Sequence, residues 1–190
     1  MILLNNDLIG IGSERSCYIH PHDNTKVIKV FHNKKNKNDQ NKLEYKYYQY
    51  LGKKNISYKH ITRCFGWIDT NMGRGLIFER VVNYDDTAPK QLTHYIKNKI
   101  FSNEREMELL LELKKYLLSN NILFMDVATL NILCKKIDKD KYRLIIIDGL
   151  GGKRDDFKFY LYTKIALYSR YKIVKQWKRL MFMVERLKLG

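Results

Sequence analysis

The sequence predicts an α+β fold in two lobes, on three observations. The first half consists of short β-branched and aromatic runs broken by turn residues, with a single helical stretch among them. A break in patterning over residues 83–90 separates it from a half dominated by helical spacing. In that second half, helical stretches enclose a hairpin with Asp126-Val-Ala-Thr-Leu-Asn131 just before its first strand and Asp148-Gly149 just after its second. The expected division is residues 1–82, a β-sheet with one helix, and residues 83–190, a reduced helical lobe. At 190 residues and 45% hydrophobic content, the chain has enough apolar material for a real core.

Taken in order, Leu3-Leu4 and Leu8-Ile9 read as short strands ahead of Gly10-Ile11-Gly12. Cys17–Ile19 and Lys26–Phe31 flank the turn signal His20-Pro21-His22-Asp23-Asn24. Residues 33–41 are polar and basic, as a loop would be. From about Asp39, the spacing of Leu43, Tyr47, Tyr50 and Leu51 predicts a helix that stops at Gly52. Ile61–Ile68 and Leu76–Val82 read as two more strands around the turn 69–75, and residues 83–90 as a hinge. A short helix over 92–100 precedes a longer one with Ser102 as N-cap and Leu109, Leu110, Leu113, Tyr116 and Leu117 on its apolar side. Asn120-Asn121 ends it. Helix returns from about Asp156.

The charge balance is extreme: 36 Lys and Arg against 20 Asp and Glu, a net +16. It predicts an anionic partner such as nucleotide, nucleic acid, phosphorylated glycan or anionic membrane, without choosing among them. Recognisable RNP, KH and zinc patterns are missing, which disfavours nucleic acid. Cys17, Cys64 and Cys134 have neither disulfide-framework nor zinc spacing. The opening residues lack the basic and apolar regions of a signal peptide, and no apolar run approaches the ~20 residues of a spanning helix. A cytoplasmic chain, peripheral at the inner face of the membrane if the tail binds there, is the expectation.

The hairpin carries the chemistry. Asp126, Asn131 and Asp148 provide a base, an amide ligand and a carboxylate suited to one divalent cation. Gly10-Ile11-Gly12 lies between two strands and not before a helix, which excludes a dinucleotide-binding fingerprint. It is either an ordinary β-turn or a loop whose backbone approaches phosphates closely. Lys29 shares a face with Val27 and Phe31 by strand alternation. A buried ammonium there needs a partner, and Glu44, the acid of the following helix, is the obvious one; the alternatives are an edge-strand lysine and a solvated glutamate.

Gly10-x-Gly12, Val27-Ile28-Lys29, Glu44, the strand reaching Phe78–Val81, Asp126-x4-Asn131 and Asp148-Gly149 stand in the order found in protein kinases. More narrowly, the stretch Gly10–Pro21 resembles the opening of the YrbL family, bacterial proteins of the PhoP regulatory network and compact members of the kinase-like superfamily. The resemblance implies a two-lobed, protein-kinase-like fold that uses ATP and Mg²⁺. Gly10 and Gly12 would cover the nucleotide phosphates, with Lys29, paired to Glu44, holding the α- and β-phosphates. Backbone groups of Glu79 to Val81 would meet the adenine. Asp126 would orient or deprotonate an acceptor hydroxyl, and Asn131 and Asp148 would hold magnesium.

The chain also departs from the protein-kinase pattern. Arg15 stands at the third glycine position, either paired with Glu14 or contacting phosphate. Phe124-Met125 replaces the His-Arg before the catalytic acid, Ala128 the lysine after it, and Leu150 follows Asp148-Gly149. About forty residues remain beyond Asp148, few for a protein-substrate lobe. The expected function is therefore phosphoryl transfer to a sugar or membrane-linked glycan hydroxyl, the partners being nucleotide and an anionic or phosphorylated acceptor. A non-catalytic regulatory module and an atypical Ser/Thr protein kinase are the alternatives. In the tail, Ile165, Tyr168, Ile173, Trp177, Leu180, Met181, Val184 and Leu187 recur at helical spacing among Lys164, Arg170, Lys172, Lys175, Lys178, Arg179, Arg186 and Lys188. That basic amphipathic pattern suits a lobe-closing helix, a helix lying on an anionic membrane, or both.

Overall fold

The computed structural model describes residues 1–32, 40–152 and 157–189. The expected helix starts near Asp39 and Asp156, and most of the basic loop 33–41, lie outside the described residues. The chain forms two compact units: Met1–Asn55 with Thr62–Arg80, and Ile56–Ile61 with Val81–Gly190.

In the first unit, β1 (Leu8–Ile11), β2 (Arg15–His20), β3 (Asp23–Phe31), β4 (Cys64–Thr70) and β5 (Gly73–Glu79) form an antiparallel sheet of order β1-β2-β3-β5-β4. Residues Asn5–Asp7, ahead of β1, make a 3₁₀ turn, so only Leu3 of the first apolar pair enters the core. The central strand β3 is buried on both faces. Ile28 and Val30 pack with Leu3 and Tyr18. Val27 and Lys29 point the other way, on the side where Tyr48 meets the Phe78 ring edge-on at 5.5 Å between centroids. Tyr48 belongs to α1 (Gln40–Gly52), whose buried side includes Leu43, Tyr47 and Leu51. Tyr48 is buried where the helical spacing had named Tyr50, which is only half-buried.

The second unit contains α2 (Leu92–Lys97), α3 (Asn103–Asn120), a three-stranded sheet of β6 (Lys90–Gln91), β7 (Ile132–Asp138) and β8 (Lys141–Ile146), then α4 (Phe157–Lys164) and α5 (Ala166–Leu189). Ser102 caps α3 by accepting from the Arg105 amide at 3.2 Å, and Asn121 ends it in the left-handed region at φ 50°. Leu109, Leu110, Leu113, Tyr116 and Leu117 form its buried face, each contributing ~1.5–3 kcal/mol of burial. The expected strand over Ile61–Ile68 starts later, at Cys64, because Ile61 is committed elsewhere: it bridges Ile146 of β8. Beside it, His60 is buried and donates Nδ1–H to the Leu144 carbonyl at 2.8 Å, with Nε2 3.5 Å from Glu112. The Tyr116 hydroxyl holds the same segment through the Ser57 carbonyl at 2.5 Å.

Residues 83–87 form a closed knot on β7. The Asn83 side chain accepts from the Lys136 amide at 2.8 Å and donates to Thr87 Oγ1 at 2.8 Å. The tail needs a correction. Ile173, Trp177, Leu180 and Val184 are buried as expected, but Ile165 and Tyr168 are exposed, and Ser169 and Gln176 take buried positions instead. Lys188 anchors the end of α5 to the buried Glu106 of α3 at 2.8 Å. Among the described residues, no helix is long and apolar enough to cross a membrane.

Two backbone crossings complete the second unit. Phe124 bridges Leu150, and the Gly149 carbonyl accepts from the amides of Met125 at 2.8 Å and Asp126 at 3.0 Å. Gly149 sits at φ +81°, and a Cβ there would stand 2.7 Å from the Asp126 carbonyl oxygen. Gly149→Ala is expected to lower stability by about 2–4 kcal/mol through backbone strain and overpacking, seen as a lower thermal midpoint. A second expectation concerns pH. Burial lowers the His60 pKa from its ordinary 6.5, more than its hydrogen bond to Leu144 and the nearby Glu112 raise it. The unfolded chain therefore gains a proton first, so stability is full above about pH 6.5 and declines as pH falls below it. His60→Gln should flatten the thermal midpoint between pH 7 and 5, above the range where carboxylates titrate.

Candidate functional site

The hairpin residues singled out in the sequence are held together by backbone geometry within the second unit. Asp126 is exposed at the end of the stretch that crosses Gly149. After it the chain turns through a 3₁₀ segment, Thr129–Asn131, before entering β7. The Asn131 side-chain amide reaches back to donate to the Asp126 carbonyl at 2.9 Å. On the returning strand, the Ile147 amide donates to the Asn131 carbonyl at 3.0 Å, and Asp148 Oδ1 accepts from the Gly149 amide at 2.6 Å. Asp126, Asn131 and Asp148 thus lie on two adjoining segments fixed by these hydrogen bonds and by the two that Gly149 accepts. A carboxylate, a carboxamide and a second carboxylate so grouped offer oxygen ligands of the type a hard divalent cation takes.

The support beneath this loop escaped the sequence. Phe124, where a histidine would be expected from kinases, is buried against Leu117, Val127, Ile173, Trp177 and Leu180, around a void of only about 10 Å³. Gln176 of α5 donates Nε2–H to the Met125 carbonyl at 2.7 Å. Thr129 shares a 2.7 Å hydroxyl contact with Thr93. Apolar packing plus one glutamine replaces a polar anchor. A buried glutamine inside an otherwise basic amphipathic repeat was the one available signal.

In the first unit, Gly10 lies in β1 opposite Cys17, and Gly12 closes the hairpin by donating its amide to the Arg15 carbonyl at 2.8 Å. A Cβ added at Gly10 would meet nothing within 4 Å, so folding places no demand on glycine there. Lys29 is buried in the middle of the sheet, between Cys17 and Leu76, with Nζ 4.3 Å from the Phe78 ring centre. Glu44 is buried on α1, and its Oε2 is met by Arg15 Nη1 at 2.5 Å, the two side chains being 5% and 11% exposed. Arg15 also donates to Asn41 Oδ1 at 3.0 Å, and Asn41 donates to the Lys29 carbonyl at 3.1 Å. The third-glycine position therefore ties the loop to α1, a role the sequence did not disclose. The other Glu44 oxygen, Oε1, is buried without a hydrogen bond among the described residues.

Burial pushes the Cys64 thiol up to about 11; a backbone hydrogen bond at Gly66 opposes the rise, the charge of Glu44 adds to it, and those of Lys29 and Arg15 oppose it. Glu79 ends β5, where its carboxylate accepts from the Arg63 amide at 3.3 Å and its own amide donates to the Arg63 carbonyl at 2.9 Å. Val81 begins the long segment of the second unit.

Comparison with known proteins agrees with this architecture. The family model described as PhoP regulatory network protein YrbL matches residues 1–185. The YrbL proteins of Escherichia coli (strain K12) and Shigella flexneri are each 29% identical over 146 residues, covering 75% of this chain and 70% of theirs. Among solved structures, the kinase domain of Mycobacterium tuberculosis PknI is similar at a TM-score of 0.59 and 11% identity, covering 91% of this chain and 71% of that one. A point mutant of the same domain gives a TM-score of 0.57. At such low identity the likeness concerns the fold, which is protein-kinase-like. With nearly its whole length matched, this chain belongs to the YrbL family of PhoP regulatory network proteins.

Proposed function

We propose that the protein is an ATP- and Mg²⁺-dependent phosphotransferase acting on a hydroxyl, with a sugar or membrane-linked glycan as acceptor class. The observation that carries this is the grouping of Asp126, Asn131 and Asp148 on hydrogen-bonded segments of one unit. A module that only binds nucleotide has no need of an exposed carboxylate beside the cation ligands. Asn131 and Asp148 are the groups that would hold Mg²⁺, whose charge offsets that of the phosphates. Asp126 accepts the proton of the acceptor hydroxyl as its oxygen bonds to the γ-phosphorus and ADP departs. In the first unit, Lys29 is the cation for the α- and β-phosphates. Gly10 and Gly12 supply close backbone approach, and the open space around Gly10 suits that role. Backbone groups of Glu79 to Val81 meet the base.

The acceptor class is supported by a departure from the protein-kinase pattern, Leu150 after Asp148-Gly149, and by the support α5 gives the loop through Gln176. A small anionic acceptor also suits a net charge of +16.

A second reading, a regulatory module that binds nucleotide without turnover, is favoured by one observation. The Glu44 carboxylate, which kinases reserve for the phosphate-binding lysine, is already engaged by Arg15. Turnover separates the two.

Mg²⁺-ATP should raise the thermal midpoint of the wild type, and Asp148→Asn should remove the magnesium dependence of that rise. Asp126→Asn should keep the stabilisation and lose roughly 10²–10⁴ in ATP turnover, the span of a general base. Stabilisation with no turnover in either protein establishes the regulatory module, and no Mg²⁺-ATP stabilisation defeats both. Gly10→Ala is a clean probe of binding, because it leaves the fold within about 0.5 kcal/mol while crowding the phosphates. Arg15→Met should cost about 3 kcal/mol by stranding a buried carboxylate, and Glu44→Leu in the same chain should recover most of it.

A further inference from the structure

The buried side of α5 leaves a second apolar surface on its opposite side. Leu167, Tyr171, Val174, Phe182 and Leu189 recur at intervals of three or four residues and their multiples, so they line one stripe of the helix. They are exposed, Leu167 at 78%, Tyr171 at 67% and Phe182 at 63%. The core residues Ile173, Trp177, Leu180 and Val184 occupy the other side. An exposed helix face in a folded domain is ordinarily polar, so an apolar stripe of roughly 33 Å, at 1.5 Å per residue, calls for something to cover it. The preceding helix α4 adds exposed Phe157 and Tyr160, their rings stacked with centroids 6.4 Å apart.

The surrounding charge indicates what covers it. Lys178 sits within the stripe, and Lys175, Arg179 and Arg186 run along one margin, all exposed. The single acid on this side, Glu185, lies 3.4 Å from Lys188. Aromatic and aliphatic side chains interrupted by Lys178 and Glu185, with Lys175, Arg179 and Arg186 along one margin, suit a bilayer interface, where rings sit at headgroup level and cations meet lipid phosphates. The net charge of +16 adds a general attraction toward an anionic surface.

We infer that α5 docks on an anionic lipid bilayer through the stripe Leu167–Tyr171–Val174–Phe182–Leu189. The helix lies in the interface and does not span it, in keeping with the lack of an apolar spanning segment among the described residues. This stripe is a different set from the apolar residues whose spacing first suggested membrane contact, of which Ile173, Trp177, Leu180 and Val184 are core. The inference is independent of the nucleotide proposal and survives its failure.

The test is co-sedimentation of the full chain with vesicles of phosphatidylcholine alone and of equal parts phosphatidylcholine and phosphatidylglycerol. The expected result is binding to the mixed vesicles and little to the neutral ones. Leu167→Gln combined with Phe182→Gln leaves the net charge unchanged and should lower partitioning by at least about tenfold. Lys178→Gln should lower it by about fivefold. Leu111→Gln, an exposed apolar residue on α3, is the matched control and should bind as wild type. Circular dichroism and thermal midpoint confirm that each variant is folded. Absence of binding to the mixed vesicles overturns the inference. So does undiminished binding by the double glutamine variant, which would mark a generic basic attraction. A concentration-dependent dimer that the same variant dissolves also overturns it, because a second copy would then cover the stripe.

Discussion

The Gly149 carbonyl accepts from two successive amides, Met125 and Asp126, and the chemically suggestive part of the second unit depends on that crossing. Two chain segments more than twenty residues apart in sequence approach so closely that no side chain fits between them: a Cβ on Gly149 would lie 2.9 Å from that of Asp126. The approach fixes Asp126 beside the strand that delivers Asp148. Asn131 then locks the turn between them through the Asp126 carbonyl. Positional precision of this kind is what phosphoryl transfer asks of a protein, because its chemistry is alignment and charge neutralisation more than covalent work.

The first unit is organised around buried charge. Lys29, Glu44 and Arg15 occupy a sheet-to-helix layer that also holds Leu43, Tyr47 and Phe78. Removing such groups from water costs several kcal/mol for each ion, and apolar residues would pack the same volume with less penalty. Their presence therefore favours specificity or ligand binding over stability. The Asn41 side chain, between the Arg15 guanidinium and the Lys29 carbonyl, joins loop, sheet and helix into one hydrogen-bonded network.

The sequence carried the strands, the helices and the order of the site residues because each rests on local information. Ser102 caps because its hydroxyl reaches an amide three residues on, and the face of α3 follows from the 3.6-residue period. What it did not carry depends on the approach of distant segments. Ile61 has a strand-like neighbourhood yet bridges Ile146, and His60 is buried only because β8 arrives beside it. Arg15 was legible as a departure at a glycine position, but its partner on α1 was not, since the two lie 29 positions apart. In the tail, periodicity alone could not decide which of two apolar stripes faces the core. Tyr168 and Ile165 compete there with Ser169 and Gln176, and the contest is settled by what α3 and the Phe124 loop present to the helix.

That double-sided character gives α5 two structural roles. One side supports the Asp126 loop through Gln176 and the packing of Trp177 and Leu180 under Phe124. The other side carries the exposed stripe, and Lys188 fixes the end of the helix to Glu106. A surface bound at the stripe is separated from the loop by only the thickness of one helix. Rigid docking alone transmits nothing, since a ligand shifts an equilibrium only by distinguishing two states. The loop would sense the docked surface only through a change in the register or tilt of α5, and the Gln176–Met125 hydrogen bond is one contact such a change would strain. Its donor is a neutral amide on a flexible side chain, and its acceptor is a carbonyl one residue from Asp126. The same helix therefore supports the Asp126 loop on one side and carries the exposed stripe on the other.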